Sequence, residues 1–67
     1  MSQGRAEFHR QHQQAAAEEA RRLFAEKPRL QGAWLNWVAG ELYHLRPAAY
    51  ASMVRRELQR LQEPADP

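Results

Sequence analysis

The sequence predicts an all-α protein of three helices, at about 5–27, 33–45 and 47–62, forming a small helical bundle or hairpin. Residues 5–27 contain neither proline nor glycine and are dominated by Ala, Gln, Glu and Arg, all strong helix formers. The two later segments repeat their apolar residues with the helical period. No stretch alternates apolar and polar residues as a half-buried strand does.

In the first helix, Gly4 serves as N-cap, and Glu7 stands where a carboxylate would reach back to complete half of a capping box. Pro28 disfavours helical backbone at Lys27 and ends the run. After Pro28-Arg29-Leu30-Gln31, Gly32 opens the second helix, whose core arc is Leu35, Val38, Leu42 and Leu45, with Trp34 at its edge and Trp37 beyond it. Pro47 suits the first position of the third helix. There Tyr50, Met53, Val54, Leu58 and Leu61 make one stripe, with Glu57 among them. Residues 1–62 read as one domain, and 63–67 as a proline-rich polar tail that does not pack.

The first helix has the thinnest stripe: Phe8, His12, Ala15, Ala16, Glu19 and Leu23. At 1.5 Å per residue it is roughly 33 Å long against roughly 20 Å for the second, so its N-terminal half overhangs. A lone chain of 67 residues has a marginal core, and no cysteine is present to staple it. A symmetric homodimer through Phe8, His12, Ala15, Glu19 and Leu23 is therefore expected. Glu57, Glu19 and His12 would either make polar contacts across helices with arginines or sit at stripe edges and reach water.

The opening residues have no apolar run of signal-peptide length. The most apolar stretch, 33–45, is broken by Asn36, Glu41 and His44 and is too short to span a bilayer. A cytoplasmic protein with no membrane contact is expected. Nine arginines stand beside a single lysine, with abundant alanine, a composition of GC-rich genomes that points to a bacterial or phage source.

Catalysis is not expected. Ser2 and Ser52 have no histidine at helical spacing, no phosphate-binding glycine loop occurs, and so small a chain gives catalytic groups little support. Glu41 and His44 form an E-x-x-H pair, but the additional inward carboxylates that di-iron bundles use have no clear counterpart. No metal and no cofactor are expected.

What the residues do favour is recognition. Aromatic side chains beside arginines are the common material of binding hot spots, and Trp37, Trp34, Tyr43, Tyr50, Arg46 and Arg55 supply that mixture. The leading expectation is a small regulatory protein that binds another protein as adaptor, inhibitor or accessory factor. The alternative is nucleic acid. Residues 38–58 resemble a helix-turn-helix, which implies a DNA-binding regulator reading through the 47–62 helix with Arg46, Ser52, Arg55, Arg56 and Gln59. The pattern departs from that motif at Tyr43, where such turns commonly carry glycine, and at Pro47-Ala48-Ala49, poor groups for base edges. Arg10, Arg21, Arg22 and Arg60 have acidic neighbours at helical spacing, leaving Arg29, Arg46, Arg55 and Arg56 as the free basic set.

Overall fold

A computed structural model describes residues 4–63, and all its regular structure is helical. Residues 1–3 and 64–67, which include most of the expected unpacked tail, lie outside the described residues; Glu63 is extended just past the last helix.

The three expected helices are not what forms. Two long helices, α1 (Arg5–Phe24) and α4 (Ala48–Gln62), make the most extensive contact between elements. Between them come a single turn, α2 (Lys27–Leu30), a 3-10 turn (Gln31–Ala33) and the ten-residue α3 (Trp34–Tyr43). Pro28 does more than stop α1. At the start of α2 its fixed φ suits helix and its missing N–H costs nothing, so the segment expected to link two helices is itself helical. Pro47 likewise stands one position outside α4, as its N-cap. Glu7 does not reach back to cap α1, because its carboxylate is taken by Arg10 and Gln11 one turn on.

The position of α4 follows from its contacts with α1: Glu57 accepts a hydrogen bond from Gln13 (3.1 Å), Tyr50 meets His12 edge-on at 6.0 Å, and Ala49, Ser52 and Met53 share a groove with Arg5, Phe8 and His9. The last helix therefore covers the N-terminal half of α1 that was expected to overhang. The close approach rests on Ala16 and Ala20, both fully buried, which form one core cluster with Leu23, Trp34, Val38, Val54 and Leu58.

Trp34 ties the middle segment to this pair. Its side chain is 1% exposed, and its indole N–H donates to the Leu23 carbonyl at 2.9 Å. That carbonyl belongs to the last turn of α1 and also accepts the Glu26 N–H at 3.2 Å, so the indole is its second donor. Phe24 meets the indole edge-on at 6.1 Å between centroids, and the Lys27 ammonium stands 5.3 Å from the Trp34 ring centre.

The anchor also fixes the rotation of α3. Trp34 and Val38 face the core, with Trp37, Leu42 and Leu45 packed at its margin. Leu35, expected in the core arc, points outward and is 67% exposed. On α1 the buried face is likewise turned toward Ala16 and Ala20, so Ala15 is exposed.

Two stability predictions follow from these contacts. Trp34→Phe keeps an aromatic ring but removes the bond to Leu23, and should cost about 2 kcal/mol, lowering the thermal midpoint by roughly 10 °C; an unchanged midpoint in a circular-dichroism melt contradicts the anchoring role. Gln31 carries φ 49°, ψ −120°, a left-handed conformation that strains a side chain, while the neighbouring Gly32 has no positive φ. Gln31→Gly is expected to raise the midpoint by about 5 °C, corresponding to about 1 kcal/mol.

Candidate functional site

The turn from α3 to α4 frames a groove of about 460 Å³. Ala39, Leu42 and Tyr43 supply its α3 wall, Leu45 and Arg46 its end, and Ala48, Ala51, Ser52 and Arg55 its α4 wall. Alanines on the facing walls keep it open, since no large side chain there bridges the two helices. Tyr43 stands at the rim, 76% exposed. Upstream on the same face of α3 come Ala39 and Leu35, one and two turns away, both exposed. The short α3 is thus apolar on two sides: Trp34 and Val38 inward, and Leu35, Ala39 and Tyr43 outward, the last two lining the groove.

The positive end is held in place locally. The Arg46 guanidinium donates to the carbonyls of Tyr43 (3.2 Å) and Leu45 (3.4 Å), satisfying oxygens left over where α3 stops. His44 Nδ1 lies 2.7 Å from the Gly40 carbonyl. His44 is exposed while Glu41 is half-buried, so the E-x-x-H pair does not present two equivalent ligands to solvent.

Of the six residues expected to bind a partner, the structure brings together Tyr43, Arg46 and Arg55 on this groove. Trp34 is removed from that set, because its ring and its N–H are both consumed in the core. Trp37 is half-buried against the core cluster, so the residue expected to carry recognition forms its margin instead. Tyr50 packs toward α1, edge-on to His12 at 6.0 Å; burial, with the Glu19 carboxylate second, pushes its phenol above the ordinary 10.0. Leu35, Ala39 and Leu42 were missed as site residues, although their spacing with Tyr43 marks one helix face.

The expected dimer stripe is largely used within the chain. Leu23 is fully buried, His12 lies between Phe8 (4.3 Å) and Tyr50, and Glu19 pairs with Arg22 on its own helix. Glu18, also at helical spacing from Arg22, accepts a bond from Gln14 instead. Arg29 leaves the free basic set, since it bonds Glu26 at 2.6 Å. Arg46, Arg55 and Arg56 have no ion-pair partner among the described residues.

Glu57 resolves the question of the charge in the α4 stripe. Its side chain, 13% exposed, accepts hydrogen bonds from Arg60 on its own helix and from Gln13 across the helix pair. The cross-helix partner is an amide, and neither the cross-helix arginine nor the purely water-facing alternative describes it. Arg60 first, then Gln13, hold the carboxyl below its ordinary value of 4.5, with burial opposing.

No family model matches the chain, and no curated protein or solved structure was found to match it.

The position of Glu57 predicts a pH effect. Because its folded value lies below the unfolded one, its contribution to stability is complete above about pH 4.5 and is lost as the pH falls through the folded value. Glu57→Gln should flatten the acid limb of a plot of urea midpoint against pH. If variant and parent lose stability in parallel there, Glu57 contributes no such term.

Proposed function

We propose that the protein acts by binding another protein, an amphipathic helix of which lies along α3 and in the groove beside it. The observation that carries this reading is the outward apolar face Leu35, Ala39, Tyr43, continuous with the groove walls at Leu42 and Leu45. A helix apolar on both sides is stable when both sides are covered, and the described residues cover only one. Helix-in-groove recognition uses anchors at this i, i+4, i+8 spacing. Arg46 and Arg55 flank the groove and no carboxylate among the described residues lines it, so the matching partner helix carries acidic side chains beside its apolar face. A role as adaptor, inhibitor or accessory factor in the cytoplasm fits such a module.

The test compares the unaltered chain, a Leu35→Ala/Tyr43→Ala double variant and an Arg5→Ala/Arg56→Ala control. Partners recovered by cross-linking should bind the first and third alike and the second at least thirtyfold more weakly, the fold-change of an interface losing about 2 kcal/mol. Both altered side chains are exposed, so helicity should not change. Equal binding by all three overturns the reading. Self-association that only the double variant loses replaces the partner with a second copy of this chain.

A further inference from the structure

Three shallow grooves meet at Ser52. The first is the one between α3 and α4, with Arg46 and Arg55; the second lies on the outer face of α4 between Arg55, Arg56 and Gln59; the third opens toward the start of α1, with Arg5, His9 and Arg56. Ser52 lines all three, and among the described residues no carboxylate lines any of them. Arg5, Arg46, Arg55 and Arg56 have no ion-pair partner among the described residues. Glu57, between Arg56 and Leu58 in sequence, does not neutralise them, because its carboxylate is turned inward to Gln13 and Arg60.

We propose that this face binds the phosphodiester backbone of nucleic acid, without reading sequence. From position 46 to position 56 the arginines are spread over roughly 15 Å of chain at helical rise, too far for one small anion to engage them all. Their ligand repeats its negative charge along its length. Guanidinium groups hold phosphate oxygens in pairs of parallel hydrogen bonds, and the Ser52 hydroxyl and Gln59 amide are further phosphate donors. The outer face of α4 at Ser52, Arg55, Arg56 and Gln59 offers no large apolar side chain, in contrast to the α3 surface. Backbone binding needs none, whereas the centre of a protein contact does. The alanines at the start of α4 likewise give no purchase on base edges, which is why sequence is not read.

The experiment is fluorescence anisotropy of a labelled mixed-sequence duplex of about 20 base pairs, titrated with the full chain from about 20 to about 200 mM salt. Binding is expected at the low end, with log K falling against log salt at a slope of about −3, as four or fewer phosphate contacts require. Arg55→Ala/Arg56→Ala should reduce the magnitude of that slope by about 2 and weaken low-salt binding at least tenfold, with circular dichroism unchanged. Arg55→Lys/Arg56→Lys keeps the charge and should keep the slope. Arg21→Ala/Arg29→Ala removes the same charge away from Ser52 and should bind like the parent. No binding at low salt overturns the proposal, as does equal weakening by the two alanine pairs. Displacement of the duplex by polyglutamate at equal charge concentration also overturns it, and makes the ligand an acidic polypeptide.

Discussion

The hydrogen bond from the Trp34 indole to the Leu23 carbonyl governs how the chain turns. A helix that stops in the protein interior leaves carbonyl oxygens without partners, and each costs free energy unless a donor reaches it. The Leu23 oxygen takes the Glu26 N–H, and its second donor is carried on the largest side chain in the sequence, so reinforcing the end of α1 and filling the core are one event. Because Trp34 is also the first residue of α3, its position sets which side of α3 faces inward. The exposure of Leu35 and Tyr43 is the other side of that same rotation. The candidate binding face is thus a geometric consequence of the core anchor.

Charge in this chain is handled mostly within single helices. Glu7 with Arg10, Glu19 with Arg22, Glu26 with Arg29 and Glu57 with Arg60 are all three residues apart. Such exposed pairs contribute only about 0.3–0.5 kcal/mol each. Their larger effect is subtraction: each removes one arginine from the set available to a partner. Of the five arginines left without an ion pair among the described residues, Arg5, Arg46, Arg55 and Arg56 surround Ser52 and only Arg21 stands apart. A formal net charge of +2 conceals this arrangement.

Helix content was legible in the sequence, because composition and apolar period act locally. So was the α4 stripe, where Val54 and Leu58 are the buried pair and Tyr50 and Met53 flank them. What could not be read was rotation. On α3 nearly every position is apolar, so periodicity alone cannot choose between a face centred on Leu35 and one centred on Trp34; a hydrogen bond to a residue eleven positions earlier decides. On α1 the alanines carry too little apolar contrast to fix a face, and the buried side is set by the arrival of α4. Tyr43, Arg46 and Arg55 come together on one groove because they flank the turn between helices, where rotation matters less. Trp37 lies at the core margin, a place that depended on rotation. The extra turn at Pro28 was missed because a proline that can only end one helix is well suited to begin another.

The contact between α1 and α4 also determines how the fold is reached. Its two sides are the first and last helices of the chain, and the Gln13–Glu57 bond joins residues 44 apart. Neither helix has a partner for its alanine or valine face until the whole intervening segment has come round, so the entropy of closing that loop is spent before the main contact returns anything. Local helices joined to their immediate neighbours fold by accretion; this chain has little to accrete, and its ends must find each other first. The α4 wall of the groove at the α3–α4 turn is thus carried by a helix whose main packing partner lies at the far side of the loop.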